Sequence, residues 1–429
     1  MQEIGIGLLG FGVVGTGVWR LLSENGEFLA RKTGVRLSIR RILVRDPGKR
    51  RPVEVPGGLL TTRVEDILED PAIQVVCELV GGLEPARTYI LSALERGKHV
   101  VTANKAVLAE YGPEVFAAAE SAGCEVFFEA AVGGGVPIIK TLRESLAANR
   151  IRRITAIVNG TCNYILTRMS EEGLSFAEAL AEAQDRGFAE ADPALDISGR
   201  DSVHKLAILA TLAYGAHVPA GRIHQEGIAD LEVSDLVFAR EFGYVLKLLA
   251  IAREEDGKVE VRVHPTLIPE GHVLASVRGA FNGFLLEGDF VGEVLLYGLG
   301  AGAEPTASAV VGDLLDAARL ITSGARPAPI LFRDSPLSLR PMEEVVSRYY
   351  FRFSAVDRPG VLSRISGVLG RHGISIASVI QKGRREKGSV PIVMLTHEAR
   401  EADVRRALSE IDRLEVVTAP TRLLRILEA

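Results

Sequence analysis

Apolar and polar positions along the chain follow a rhythm that changes character twice. An apolar run at 4–9 reads as a buried strand, and the spacing then lengthens to a helical period through Val18, Leu21 and Leu22. The exchange repeats with strands at 37–44, 75–80, His99–Thr102 and 125–129 and a helix at 89–96. Such alternation over residues 1–130 predicts a doubly wound parallel sheet with ligands gathered at the carboxyl ends of its strands. From 131 the rhythm loosens. Strands at Ile151–Ile157, 259–265, 275–277 and 284–286, helical sequence at 176–184 and again up to Tyr214, and a well-formed helix at 305–321 predict a second, α+β domain with a mixed sheet over 131–323. Part of it, the helix at 305–323, is expected to pack back on the first domain. Pro327, Pro329, Pro336 and Pro341 then interrupt all periodicity, which marks a linker at 324–345. Beyond it, 346–429 reads strand (349–356), helix (Val361–Arg371), strand (375–381), basic loop (382–387), strand (390–396), helix (402–411), strand (415–420). That βαββαβ order is ferredoxin-like.

The first strand runs into Gly10-Phe11-Gly12-Val13-Val14-Gly15 and a helix, the context in which G-x-G-x-x-G binds a dinucleotide pyrophosphate at a helix N-terminus. The motif assigns Gly10, Phe11, Gly12, Val13, Val14 and Gly15 to a cofactor in a Rossmann-type domain. An NAD site commonly ends its second strand with an acid. Here Arg45 follows that strand, with Arg40, Arg41, Lys49 and Arg50 nearby, which favours the 2′-phosphate of NADP, while Asp46 keeps NAD open.

Bulk composition narrows the partners. Lys+Arg 50 against Asp+Glu 55 leaves a net charge of −5, so no global basic field recruits nucleic acid or an anionic membrane. Apolar runs fall short of a membrane span, and the first residues lack a basic signal region. Cys77, Cys124 and Cys162 stand in no metal-ligand or disulfide spacing, consistent with a reducing cytoplasm and a small-molecule ligand.

The densest chemistry lies at 187–205, where a loop broken by Gly187 and Pro193 carries Glu190, Asp192, Asp196 and Asp201 and leads to His204 and Lys205. Asp201 and Lys205 share a helix face if the helix starts near Gly199. Residues alone allow a solvated loop with an ordinary ion pair as well as a catalytic cluster. Lys105 follows a strand end and reads as a surface lysine or as a cation for a substrate carboxylate or carbonyl. Glu129 precedes Ala131-Val132-Gly133-Gly134-Gly135-Val136-Pro137, a turn that either joins domains or aims carbonyls at a monovalent cation. Asn159, Thr161 and Asn163 stand at a strand-to-helix corner, suited to capping or to a polar substrate. Cys162 reads as packing. A second glycine loop, ending at Gly302, opens onto the helix at 305 and can bring amides towards the cofactor.

In this order the motifs resemble homoserine dehydrogenase nearly end to end. The resemblance rests on Gly10 to Gly15, Thr102-Ala103-Asn104-Lys105-Ala106, the residues from Glu129 to Pro137, Asn159-Gly160-Thr161 with Asn163-Tyr164-Ile165, the stretch 187–205, and Gly300-Ala301-Gly302 with Pro305-Thr306. The tail, with Asp357-Arg358-Pro359-Gly360-Val361-Leu362, resembles an ACT domain. No kinase segment precedes the first strand, as in the monofunctional form. The resemblance implies reversible NAD(P)-dependent interconversion of L-aspartate 4-semialdehyde and L-homoserine, on the route to threonine and methionine, with L-threonine as the effector of 346–429. It implies Lys205 as proton donor, Asp201 as its orienter or a ligand of the substrate hydroxyl, Glu190 on the substrate amino group, and Lys105 on substrate and nicotinamide. It implies a structural Na+ at Glu129, Val132, Gly134 and Val136, and a homodimer or homotetramer. Two rivals are an acylating semialdehyde dehydrogenase using Cys162 and an amino-acid sensor without turnover.

Overall fold

A computed structural model of the chain describes residues 2–328, 330, 337–381 and 389–428. Pro329 and Pro336 of the predicted linker, and the basic loop at 382–387, lie outside the described residues.

The N-terminal alternation is realised as six strands: β1 (Gln2–Leu9), β2 (Val35–Leu43), β3 (Leu60–Thr61), β4 (Val75–Glu78), β5 (His99–Thr102) and β6 (Val126–Phe127). They order β3-β2-β1-β4-β5-β6 with every pairing parallel. Ile4, Ile6, Leu8, Val75, Cys77 and Val101 are almost fully buried, as expected for strands covered on both faces. The order reverses between β1 and β4, so the ligand crevice opens where β1 ends at Gly10 and β4 ends at Glu78. Helix Ala303–Ser323 belongs to the same core through Val310, Leu314 and Ala317.

The chain packs as two compact units. Unit 1 contains Met1–Ile154, Ser202–Ile223 and Ala280–Leu337; unit 2 contains Thr155–Asp201, His224–Gly279 and Ser338–Ala429. These units cross the boundaries expected from sequence, for a reason visible in unit 2. Strand Val417–Ile426 runs past the predicted end at 420 and pairs in parallel with strand Lys258–Pro269 (Thr266 opposite Arg425, Leu267 opposite Ile426). The end of the predicted linker is also held. Ser338 O accepts from Val259 N at 2.9 Å, and Arg340 N donates to Val259 O at 2.8 Å.

The C-terminal strands order Val417–Ile426, Val346–Val356, Ser389–Thr396, Ile376–Gln381, all antiparallel, with helices Val361–Arg371 and Glu401–Ile411. This is the ferredoxin-like arrangement expected of the tail. The mixed sheet of the second domain is also present, with strand Lys258–Pro269 antiparallel to Tyr244–Glu255 and parallel to His224–Gln225.

Two predicted elements differ. Residues 275–277 form no strand. Val273–Ser276 is a 3-10 turn, because His272 Nδ1 accepts from Leu274 N and starts a cap. The strand at 125–129 shrinks to β6, and Glu129 opens a turn instead.

Candidate active site

The chain leaves β1 at Gly10 with φ +100°, and a Cβ there would meet Leu79 O at 2.7 Å, so only glycine fits. A Cβ on Gly15 would meet Gly10 O at 2.6 Å, whereas one on Gly12 would meet nothing within 4 Å. Gly12 therefore faces open space, a cleft of about 700 Å³ lined also by Phe11, Val13, Thr16, Lys49 and Arg50. Helix Val13–Thr33 starts at Gly12 without a side-chain cap, leaving its first amides for an anion. Val14 packs on the core and Gly15 is buried in the first turn.

Arg45 is exposed at the bend after β2 and stands outside the lining of this cleft. Lys49, Arg50 and Arg51 line it instead, because the loop folds back. Arg51 donates to the carbonyls of Asp46, Pro47 and Lys49, and Asp46 Oδ1 accepts from Gly48 N at 2.8 Å. That bond commits Asp46 to its own turn. Gly302, with φ +122°, caps helix Ala303–Ser323, and Ala303 and Glu304 line the same cleft.

Lys105 is the first residue of helix Lys105–Ala122, at the carboxyl end of β5. A buried frame fixes that corner. Glu78 accepts from Thr102 Oγ1 at 2.7 Å and from Val80 N at 2.7 Å, while Asn104 donates to Gly82 O and accepts from Val107 N. Lys105 is held half-buried at its edge.

Around the glycine turn, the Glu129 carboxylate accepts from Ile139 N and Lys140 N, both at 2.8 Å, and burial pushes the carboxyl upward. Glu129 N donates to Asp313, whose carboxyl burial raises to about 7. Gly133 and Gly134 both have positive φ, which turns successive carbonyls, and Val132 and Val136 are buried. A cation here would rest on carbonyl oxygens more than on the side chain of Glu129. Among the described residues no cluster of three acids, histidines or cysteines is placed to hold a metal.

Strand Ile151–Ile157 passes through Asn159 into helix Gly160–Glu172. Asn159 joins residues far along the chain, donating from Nδ2 to Asp196 Oδ1 at 2.7 Å and to Asp201 Oδ2 at 2.8 Å. Thr161 Oγ1 donates to Phe188 O at 2.6 Å, and Gln184 donates to Glu190 O, so the loop is pinned on both sides of Glu190. The Glu190 side chain is exposed, and its carboxylate has no hydrogen-bond partner among the described residues. Asp192, just before the short helix Ala194–Ile197, accepts from Ala194 N at 3.1 Å. Asp201 and Lys205 are both buried, one turn apart on helix Arg200–Tyr214. Cys162 is fully buried, with Sγ donating to Asp196 O at 3.2 Å, a packing and loop-holding role rather than that of an accessible nucleophile.

Sequence reasoning missed the joint made by Asn159, the part Asp196 plays in it, and Lys247. Lys247 lies buried in strand Tyr244–Glu255 and donates to Asn163 Oδ1 and Val277 O; burial lowers its ammonium to about 8. The available signal was one lysine inside the apolar run Tyr244-Val245-Leu246-Lys247-Leu248-Leu249.

Comparison with known proteins gives a consistent picture. Residues 137–315 match the profile of homoserine dehydrogenase, 10–129 that of the homoserine dehydrogenase NAD binding domain, and 349–416 that of the ACT domain. The chain is 46% identical to the homoserine dehydrogenase of Synechocystis sp. over 99% of this chain and 100% of that one. It superposes on the crystal structure of a homoserine dehydrogenase from Thiobacillus denitrificans with TM-score 0.93 and 46% identity, covering 100% and 99% of the two chains. A hyperthermophilic archaeal homoserine dehydrogenase, solved in complex with NADPH, aligns at TM-score 0.63 and 29% identity over 74% of this chain and 98% of that one.

Proposed function

Since the chain belongs to the homoserine dehydrogenase family, we propose that it interconverts L-homoserine and L-aspartate 4-semialdehyde with NADP in the biosynthesis of threonine, methionine and isoleucine. The observation that carries this reading is the separation of charges on 187–205: an exposed carboxylate at Glu190 with no hydrogen-bond partner among the described residues, and a buried Asp201 one helical turn before a buried Lys205.

When bound, the nicotinamide supplies or accepts the hydride. The chain's own residues handle the charge that this leaves. Reduction of the aldehyde builds negative charge on its oxygen, and the Lys205 ammonium stabilises and protonates that oxygen, a contribution of about 10²–10⁴-fold in rate. In the reverse direction Lys205 takes the hydroxyl proton. Asp201 orients Lys205 or accepts from the substrate hydroxyl. Glu190 binds the substrate amino group, which accounts for an exposed carboxylate without a hydrogen-bond partner among the described residues. Lys105 binds the substrate beside the nicotinamide. The uncapped first turn of helix Val13–Thr33 at Gly12 would hold the pyrophosphate, with Gly302 contributing from the start of helix Ala303–Ser323.

NADP is preferred to NAD, with Lys49 and Arg50 joining Arg45 as partners of the 2′-phosphate. Support comes from the basic cleft wall, from Asp46 being engaged by Gly48, and from the NADPH complex of the archaeal relative. A structural Na+ is held by Glu129, Val132, Gly134 and Val136, supported by the turned carbonyls of the glycine turn. The modules are 1–130 for cofactor, 131–323 for substrate and dimerisation, 324–345 as connector and 346–429 as an ACT sensor of L-threonine. The enzyme acts in the cytoplasm as a homodimer or homotetramer. No described helix is long and apolar enough to cross a membrane. Absorbance of reduced nicotinamide with L-homoserine and NADP, then with NAD, tests the reading. Faster turnover with NADP is the expected outcome, and no signal with either cofactor refutes it.

A further inference from the structure

Asn159 does more than a helix cap requires. A cap needs only its Oδ1, which accepts from Cys162 N at 2.8 Å. The Nδ2 group spends both hydrogens as well, on Asp196 Oδ1 and Asp201 Oδ2. The orientation of the amide is unambiguous, because carboxylates only accept and a backbone N–H only donates. The residue is 5% exposed, so neither bond is traded with bulk water.

The two carboxylates it joins come from different elements, the short helix Ala194–Ile197 and the start of helix Arg200–Tyr214. Two acceptors on one NH₂ group stand about 5 Å apart. The neutral donor between them holds the two carboxylates in register. Other groups at the corner fix the backbone around them. Cys162 Sγ donates to Asp196 O, and Thr161 Oγ1 donates to Phe188 O. Ile228 N donates to Ile197 O at 2.8 Å, and Gln225 Nε2 donates to Ser198 O at 2.7 Å.

We infer that Asn159 is a positioning residue of the reaction, setting the Asp201 carboxylate and the Asp196 carboxylate in register through one amide. The inference rests on the reading of Asp201 as a residue of the substrate site. Asn159 touches neither substrate nor cofactor in this role. It acts through the acids.

Asn159→Asp separates positioning from capping. Aspartate caps as well as asparagine and has the same shape, but it deletes both donors and adds a third carboxylate. The expected result is a folded enzyme with unchanged KM for NADP and a kcat at least 50-fold lower at pH 8. The ratio of variant to parent kcat then rises as pH falls towards 6, because three clustered carboxylates bind a proton more tightly and the O–H so formed donates in place of the amide. A kcat equal to the parent's, with a ratio independent of pH, overturns the inference. If the aspartate variant does not fold, Asn159→Ser decides. Serine keeps the cap and lacks the two-pronged donor, so kcat falls at least tenfold without recovery at low pH, and parental kcat overturns the inference. A parent chain without turnover of L-homoserine on either cofactor would instead remove the functional reading, and this inference with it.

Discussion

Replacing Arg425 by methionine tests how unit 2 is held together. Arg425 is 1% exposed and makes four hydrogen bonds, two to Glu401 at 2.9 and 2.7 Å and two to Glu226, both at 2.9 Å. Glu401 is buried too and also accepts from Tyr349 and Arg405. The guanidinium thus ties the last strand and the last helix to the segment at 224–226. Methionine fills the space but leaves carboxylates that were placed for a cation, and removing one partner of a buried ion pair costs about 3–5 kcal/mol. In a unit of roughly 200 residues about 1 kcal/mol moves the transition by about 2–4 °C, so calorimetry of the full chain should show one transition falling by roughly 6–20 °C.

The pH dependence sharpens this test. Burial alone would raise the Glu226 carboxyl, but hydrogen bonds from His224 and Arg425 outweigh it and hold it far below the usual range. Glu401 is likewise lowered against burial, first by Arg425. Folded values below the ordinary 4.5 mean stability that is present above pH 4.5 and lost as pH falls through the folded values. Without Arg425 that contribution is gone, so the gap between parent and variant narrows as pH drops below 4.5. A shift under about 2 °C at pH 7, or a gap that widens in acid, refutes the reasoning.

Lys247 gives an alkaline counterpart. Its folded value of about 8 lies below the ordinary 10.5, so the unfolded chain binds the proton more tightly and stability rises between those two pH values by up to about 3 kcal/mol, a rise that Lys247→Met should flatten in urea titrations. Arg50→Ala is expected to raise KM for NADP about tenfold and leave that for NAD unchanged, measured by initial rates, as for a lost phosphate contact of about 1.4 kcal/mol. L-Threonine is expected to inhibit the full chain, with Asp357→Ala weakening the inhibition in a dose-response assay. By sequence, the linker at 324–345 sets 346–429 apart as a module of its own. Arg352, which donates to the buried Asp235 at 2.6 Å, and Arg425 make a truncation at 324 costly to unit 2, so a cut chain should melt lower than the parent.

The parts legible in the sequence were those set by neighbours in the chain. His99–Thr102 is a strand end to end because the turn at Gly97 and the helix cap at Asn104 bound a short apolar run. Gly10 to Gly15 announced a tight strand-to-helix turn because local clashes demand glycine at Gly10 and Gly15. Strand Tyr244–Glu255 escaped notice, since an apolar run from Leu246 to Ala252 is equally a buried helix until its partner is known. Which of the basic residues after the second strand line the cleft was not legible in the sequence. Arg45 follows the strand, but the fold of the loop at 46–51 brings Lys49 and Arg50 round instead. Asn159 could not be read as a joint at all. Its partners lie 37 and 42 residues away, and only the packing of unit 2 brings them together.

The central claim is that 187–205 divides binding from proton transfer. The direct measurement is the steady-state rate of L-homoserine-dependent NADP reduction by the parent, Glu190→Ala and Lys205→Ala. The account predicts that Glu190→Ala raises KM for homoserine at least tenfold with kcat within about threefold of the parent, whereas Lys205→Ala lowers kcat by about 10²-fold or more at similar KM. Parental kcat in Lys205→Ala, or a Glu190→Ala enzyme with unchanged KM, would contradict it.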